Sequence, residues 1–145
     1  MEMEISCGFV LINADSQKIL LLKLSDESEW DIPKGHQEKG ETNIETAFRE
    51  VEEEVKIKKS QIAILQDNEG VALVDSYEYV SPVSGNTRKI VLFVGKTKEN
   101  PIISHEHCGF AWCTLKEGLK YLRFSDVQGC VNKLYEQYVK KSNYK

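Results

Sequence analysis

Three glutamates, Glu50, Glu53 and Glu54, are spaced so that a helix would place them on one stripe. Neighbouring carboxylates on such a stripe lie about 5–6 Å apart, and each close pair would repel by roughly 3 kcal/mol at an effective dielectric constant of about 20. A hard divalent cation bound through oxygen ligands removes that cost, and such a cation also binds substrate phosphates. The stripe is therefore a candidate cation site, although glutamates on a helix are also typical of a plain solvated surface.

A helix that begins after Thr42 would position these acids. Thr42 and Glu45 match the capping box that opens many helices. At about 100° per residue, the acid stripe borders an apolar face and the other charged residues of the helix point to solvent. Four apolar residues at 4-3-4 spacing form that face: Ile44, Phe48, Val51 and Val55.

The rest of the chain predicts strands around this helix and a second helix at the end. Apolar runs predict strands at 5–12, 18–24, 62–65, 71–80, 88–96 and 110–114. The polar segment 25–29 predicts a solvated loop, and a last helix is predicted from about Asp126 with Ser125 as its cap. Strands that flank one helix and precede another indicate a mixed α/β sandwich.

Length and composition bound the class of protein. The 145 residues suit a single domain, residues 1–145, around one core. With 19 basic and 23 acidic residues and a net charge of −4, the composition excludes a nucleic-acid-coating protein. The sequence shows neither a secretory leader pattern nor an apolar run of about 18 residues. We therefore expect a monomer in the cytoplasm, with the nucleus as a second compartment, and without a membrane partner or a stable nucleic-acid partner.

The cysteines show no C-x-x-C pair, so we expect reduced thiols packed in the core. They are Cys7, Cys108, Cys113 and Cys130. The alternatives are a disulfide and a zinc site, and in the zinc site His105 and His107 would be further ligands. No further ligand pair has suitable spacing, which favours reduced thiols.

The run from Gly35 to Ile57 resembles the Nudix box, whose pattern is glycine, five residues, glutamate, seven residues, Arg-Glu, an aliphatic, any residue, Glu-Glu, any residue, glycine and an aliphatic. The matching positions are Gly35, Glu41, Arg49, Glu50, Val51, Glu53, Glu54 and Ile57. Lys56 stands where the family has glycine. Because glycine there serves a left-handed helix end, Lys56 is predicted in that conformation at a cost of about 1–2 kcal/mol.

The resemblance implies an α/β/α sandwich with a mixed β-sheet, in which the box is a loop–helix–loop that holds Mg²⁺ or Mn²⁺. It also implies hydrolysis of a nucleoside diphosphate linked to another group. The implied ligands are Glu50, Glu53, Glu54 and the backbone carbonyl near Lys34 and Gly35. Glu50 matches a ligand or the general base, and Arg49 matches the arginine that orients the acids together with Glu41.

Two further stretches, 30–36 and 104–107 followed by Trp112, resemble the animal-type asymmetrical diadenosine tetraphosphate hydrolases. That resemblance makes Glu106 a fourth acidic ligand or the base that activates water, and Arg49, Glu50, Glu54 and Glu106 the catalytic set. It implies polyphosphate contacts at Lys34, His36 and Lys89. It also implies adenine stacking on Tyr77, Tyr79 or both, with Phe124 as a weaker candidate.

The expected reaction is cleavage of diadenosine tetraphosphate into ATP and AMP by water attack at phosphorus. Other Nudix pyrophosphatases, acting on a diphosphoinositol polyphosphate, another nucleoside diphosphate derivative or an RNA 5′ cap, share the same box. Few basic residues cluster near the box and no basic arm is visible, which argues against the first and last of these. A nucleotide-binding module without turnover is a further alternative, and Tyr77 and Tyr79 could simply cover the sheet.

Overall fold

A computed structural model describes residues 3–24 and 29–143. The strands are β1 (Met3–Asn13), β2 (Ile19–Leu24), β3 (Trp30–Asp31), β4 (Lys34–His36), β5 (Ala63–Ile64), β6 (Val74–Val80), β7 (Thr87–Thr97) and β8 (His107–Cys113). The helices are α1 (Asn43–Val55), α2 (Leu115–Tyr121) and α3 (Ser125–Asn143), with a 3₁₀ turn at Lys59–Gln61.

Strand β1 is the centre of a mixed sheet. It runs parallel to β7 over its whole length, from Met3 opposite Thr87 to Asn13 opposite Thr97. Along its other edge it pairs antiparallel with β4 and then with β2. The far edge of β7 carries β5 and β6, and β2 carries β3 and β8.

Alternate residues of β1 face two separate apolar layers. Phe9 and Leu11 pack in a cluster with α1, where Val51 is fully buried. Val10 and Ile12 face the opposite layer, which α3 covers. Each such side chain contributes about 1.5–3 kcal/mol when it is fully buried. The sheet therefore lies between helices, and the predicted α/β/α sandwich with a mixed β-sheet is confirmed.

Helix α1 begins and ends as the sequence predicts. The Thr42 Oγ1 accepts the Glu45 N–H at 3.3 Å, and the Glu45 Oε1 accepts the Thr42 N–H at 2.8 Å. After Val55 the chain turns at Lys56, whose φ of 61° and ψ of 28° are left-handed. Its N–H donates to the Glu52 carbonyl at 3.0 Å, so the left-handed helix end predicted at Lys56 is confirmed.

Several element boundaries differ from the predicted ones. The strand predicted at 71–80 begins only at Val74, because the Asp67 carboxylate accepts the N–H groups of Glu69 and Val71 and holds a turn there. The strand predicted at 62–65 is only Ala63–Ile64. Residues 25–28 of the predicted loop lie outside the described residues.

Two features near the end of the chain also differ. Ser125 is the first residue of α3 and not a cap outside it. Helix α2 was not predicted, although Thr114 and Glu117 form a second capping box. Gly118 places this short helix against Ile19, where a Cβ would lie 2.7 Å from the Ile19 Cδ1.

The four cysteines are free thiols, but only three of them are buried. Cys108 is exposed and its Sγ donates to the Leu24 carbonyl at 3.4 Å, so the expectation that it packs in the core is wrong. It lies in β8, where alternate side chains leave the sheet. Among the described helices, none is long and apolar enough to cross a bilayer.

Candidate functional site

Arg49 joins the acid stripe of α1 to the loop that precedes the helix. Its Nε donates to the Glu41 Oε2 at 2.6 Å and its Nη2 to the His36 carbonyl at 2.8 Å. Its Nη1 lies 3.0 Å from the Glu50 Oε2 and 2.9 Å from the Glu53 Oε2. The hydrogen bond from Arg49 lowers the pKa of Glu41 to about 2, so this carboxylate stays charged.

Glu54 is the most sheltered acid of the stripe. Its Oε1 accepts the Lys34 N–H at 3.0 Å, which ties the helix to β4. Burial, and then the charge of Glu50, raise the pKa of Glu54 to about 8. Burial also raises the pKa of Glu50, with a contribution from Glu53. These carboxylates are therefore costly to ionise together unless a cation compensates them.

Gly35 allows the Glu50 carboxylate to lie directly against the backbone of β4. A Cβ on Gly35 would lie 1.8 Å from the Glu50 Oε1, closer than any real contact. Gly35 also pairs with Cys7 of β1, so β4 has little freedom to move away. Any larger residue at this position would displace the carboxylate.

The loop before β8 brings Glu106 to the same place. The N–H groups of Ile102 and Ser104 donate to the Val55 and Glu54 carbonyls at 2.9 Å and 3.0 Å, where α1 leaves its last carbonyls without helical partners. The Ser104 Oγ accepts the Glu106 N–H at 3.4 Å. Glu106 thus reaches α1 from a segment more than fifty residues away in sequence.

These residues line a groove of about 470 Å³, which we call the acid groove. Its acidic, basic and histidine residues are Lys34, His36, Glu38, Arg49, Glu50, Glu53, Glu54, Arg88 and Glu106. The structure thus brings together all four acids predicted as ligands. His36, another predicted contact, is exposed there, with its Nδ1 3.5 Å from the Ser6 Oγ.

The donor set of the acid groove fits a hard divalent cation, since it consists of carboxylate oxygens beside the backbone of β4. Over residues 3–24 and 29–143, no three acidic, histidine or cysteine side chains already converge on one point. Arg49 accounts for this arrangement because it draws Glu50 and Glu53 towards its guanidinium, while Glu54 turns to the Lys34 N–H. Glu53, whose side chain is 53% exposed, has room to turn away from Arg49 towards a cation.

A second cavity of about 410 Å³ lies beside the acid groove, and we call it the aromatic cavity. Tyr77 and Tyr79 line it with their ring centroids 6.4 Å apart and their planes within 24°. Tyr77 is half-buried against the α3 layer, whereas Tyr79 is 37% exposed. Phe124 is exposed at the rim, so all three predicted stacking residues line one cavity.

The acid groove and the aromatic cavity share Lys34, Tyr79, Arg88 and Ile90. The Lys34 Nζ bonds the Asp31 Oδ2 at 2.8 Å, and this pair keeps Lys34 charged by raising its pKa against the opposing effect of burial. Arg88 lies with its Nε 3.3 Å from the Glu4 Oε1. Lys34 and Arg88 thus form a positively charged junction between the acid groove and the aromatic cavity.

Lys89 lies in neither space. It pairs with Glu78 across the sheet and points to the same side as Val91, which faces the α1 layer. Its neighbour Arg88 lines both spaces, and sequence reasoning missed it. The period-2 alternation of β7 could have identified it, because Arg88 shares its face with the buried Ile90, Leu92 and Val94.

Comparison with known proteins agrees with this geometry. A family model described as the NUDIX domain matches residues 4–131. The rat bis(5′-nucleosyl)-tetraphosphatase (asymmetrical) is 27% identical over 135 residues, which cover 85% of this chain and 87% of that protein. The protein of that name from Caenorhabditis elegans is 27% identical over 133 residues, which cover 88% and 91%.

Solved structures show the same likeness. The C. elegans diadenosine tetraphosphate (Ap4A) hydrolase, crystallised as a binary complex, superposes with a TM-score of 0.83 at 25% identity, covering 94% of this chain and 98% of that one.

A shorter match in sequence is with an RNA pyrophosphohydrolase from Ruthia magnifica. It is 36% identical over 58 residues, which cover 40% of this chain and 32% of that protein.

Proposed function

Because this chain belongs to the Nudix family, we propose that it hydrolyses dinucleoside polyphosphates with Mg²⁺ or Mn²⁺, cutting diadenosine tetraphosphate asymmetrically into ATP and AMP. Similarity to these relatives supports hydrolysis of pyrophosphate bonds in nucleotide derivatives, and Nudix hydrolases generally use divalent cations. What we propose beyond this is the identity of the substrate and the asymmetrical position of the bond that is cut.

One observation carries the proposal: the acid groove adjoins the aromatic cavity at the junction of Lys34 and Arg88, which line both spaces. A dinucleoside polyphosphate has an aromatic base at one end and a run of phosphates next to it. Tyr77 and Tyr79 offer rings for the base, and Lys34 and Arg88 offer charges for the phosphates that follow. The aromatic cavity, the junction and the acid groove thus follow one another in the same order as the base, the phosphate chain and the scissile bond of the substrate.

The acids of the groove have separate roles in this proposal. Glu53 and Glu54 hold the cation, Arg49 holds the stripe in place, and Glu50 or Glu106 accepts the proton of the attacking water. When bound, the divalent cation supplies charge neutralisation at the phosphates and a more acidic water. Lys34 and Arg88 stabilise the charge on the departing nucleotide, since phosphoryl transfer depends mainly on positioning and electrostatics.

The deciding experiment is product analysis with diadenosine tetraphosphate in ¹⁸O-labelled water. We expect equal amounts of ATP and AMP, formed only with Mg²⁺ or Mn²⁺. The label enters AMP if water attacks the phosphorus next to adenosine and ATP if it attacks the next one along. Formation of two ADP molecules would overturn the asymmetrical assignment.

Competing substrates extend the same experiment. A diphosphoinositol polyphosphate and a triphosphorylated RNA oligonucleotide are offered at equal concentration. We expect kcat/KM for both to be at least about tenfold lower, because a diphosphoinositol polyphosphate has no base for the aromatic cavity and the RNA carries a polynucleotide chain beyond its 5′ nucleotide. Faster turnover of the RNA would favour an RNA pyrophosphohydrolase, and nucleotide binding without any product would favour a binding module.

A further inference from the structure

The Lys34 ammonium is paired with Asp31, which lies outside the acid groove. The Lys34 side chain borders both spaces, so its ammonium can lie towards the aromatic cavity or towards the acids of α1. In the structure the Nζ is 2.8 Å from the Asp31 Oδ2, on the side of the aromatic cavity. Asp31 does not line the acid groove.

Asp31 itself is held rigidly. It lies in β3 opposite Leu22, and its Oδ1 accepts the Ile32 N–H at 2.8 Å. Pro33 follows, and its carbonyl accepts the Phe9 N–H at 3.2 Å, which fastens the turn to β1. The carboxylate is therefore a fixed anchor, whereas Lys34 is a long side chain with several rotatable bonds.

Glu54 is the alternative partner for the ammonium within the acid groove, since its charge acts on Lys34. Its carboxylate already accepts the Lys34 N–H at 3.0 Å, and its charge acts on the Lys34 ammonium. A lysine ammonium is a compact point charge that would neutralise Glu54 well. An ammonium released from Asp31 would thus compete with a divalent cation for the same oxygens.

We propose that Asp31 is a positioning residue that keeps the Lys34 ammonium out of the acid groove, so that a divalent cation and not lysine neutralises Glu54. This inference rests on the proposed function because it takes the acid groove to be the cation site. It assigns the ion pair a role in metal affinity. A second effect follows, since the same pair holds Lys34 at the junction that the phosphate chain crosses.

The test is a double-mutant cycle read by Mn²⁺ binding without substrate, measured by electron paramagnetic resonance of free Mn²⁺. Asp31→Asn keeps the acceptor for the Ile32 N–H but removes the charge that holds Lys34. We expect this change to weaken Mn²⁺ binding roughly fivefold or more in the natural background. In a Lys34→Met background, which keeps the backbone carbonyl, it should weaken binding by less than about twofold.

Asp126→Asn is the matched control. Asp126 also lines the aromatic cavity, but the ion pair of Lys34 is with Asp31. We expect it to change Mn²⁺ affinity by less than about twofold. Equal losses for Asp31→Asn in both backgrounds, or no loss in either, would overturn the positioning role. Mn²⁺ binding to the unaltered protein is measured first. If that protein binds no Mn²⁺, the cation site of the proposed function is wrong, and this outcome is distinct from a failure of the Asp31 proposal.

Discussion

Among the acids of the stripe, we expect the chemistry of the acid groove to depend most on Glu54. It is the acid whose pKa is raised furthest among those of the stripe, and it is bonded to β4. Glu54→Gln keeps its shape and its acceptor for the Lys34 N–H but removes the charge that would hold a cation. We expect kcat to fall by more than about 10³-fold while the fold remains intact.

Steady-state kinetics with diadenosine tetraphosphate and circular dichroism measure both parts of this prediction. Glu52→Gln is the control, since Glu52 is exposed on the same helix and lines neither space. Its turnover should stay within about twofold of the natural protein. Near-normal turnover of Glu54→Gln would reject Glu54 as an essential ligand.

Arg88 and Lys89 offer a second comparison at this scale, because they are neighbours on β7 that face opposite sides of the sheet. Arg88→Met should raise KM for diadenosine tetraphosphate about tenfold or more, since it removes a cation from the junction. Lys89→Met should raise it by less than about threefold. The reverse order would restore Lys89 as the phosphate contact that family resemblance implies.

At the scale of elements, α1 ends on a residue that does not suit its conformation. Lys56 is left-handed with φ of 61°, a region that favours glycine. Lys56→Gly should therefore raise the free energy of unfolding by about 1 kcal/mol without changing kcat. Urea denaturation measures the change.

Glu52→Gly serves as its control, because the same replacement within the helix should lower stability by about 1 kcal/mol. If both variants lose stability, the lysine side chain stabilises the helix end by more than its backbone conformation costs. The Lys56 Nζ lies 3.4 Å from the Glu53 carbonyl, which is the contact that could do so.

The close approach of β4 to α1 gives another prediction. Gly35→Ala would place a Cβ 1.8 Å from the Glu50 Oε1, so the carboxylate must move. We expect kcat to fall at least about 10²-fold and Mn²⁺ binding to weaken. Gly129→Ala in α3 meets nothing within 4 Å and should leave kcat unchanged while stabilising the helix by up to about 1 kcal/mol.

The sequence predicted α1 well because its signals are local. Its capping box, its apolar face and the left-handed Lys56 all lie within fifteen residues of one another. The start of β6 was not predictable in the same way, since a side-chain turn at Asp67 decides it. Helix α2 does carry a local signal, its capping box, but it is only seven residues long and packs through Gly118 on Ile19. Lys34 was predicted as a phosphate contact, but Arg88 was missed because its place beside Lys34 depends on the register of β4 and β7 with β1.

At the scale of the whole molecule, the sheltered acids should make stability depend on pH. Between its usual pKa of 4.5 and about 8, the native protein keeps the proton on Glu54 whereas the unfolded chain loses it. In EDTA this group's contribution to stability is therefore complete below about pH 4.5, falls as pH rises, and is lost above about pH 8. Bound Mg²⁺ should reverse the trend because it favours the ionised carboxylate.

Urea midpoints of the natural protein and Glu54→Gln, measured in EDTA at several pH values, check this expectation. The difference between the two isolates Glu54, since His107, whose pKa burial lowers, contributes to both. The difference should shrink as pH falls towards 4.5. A difference that stays constant with pH would mean that Glu54 is ionised throughout.

The pairing of β1 with β7 joins residues 3–13 to residues 87–97 in register along eleven positions. Each residue of β1 precedes its partner on β7 by 84 residues, as Met3 and Thr87 show, so β1 leaves the ribosome well before its long neighbour is available. Such distant pairing slows folding, and an unpaired central strand exposes apolar surface meanwhile. The segment Lys34–His36 pairs with β1, and β1 in turn pairs with β7. The acid groove therefore cannot form on the nascent chain until β7 has left the exit tunnel.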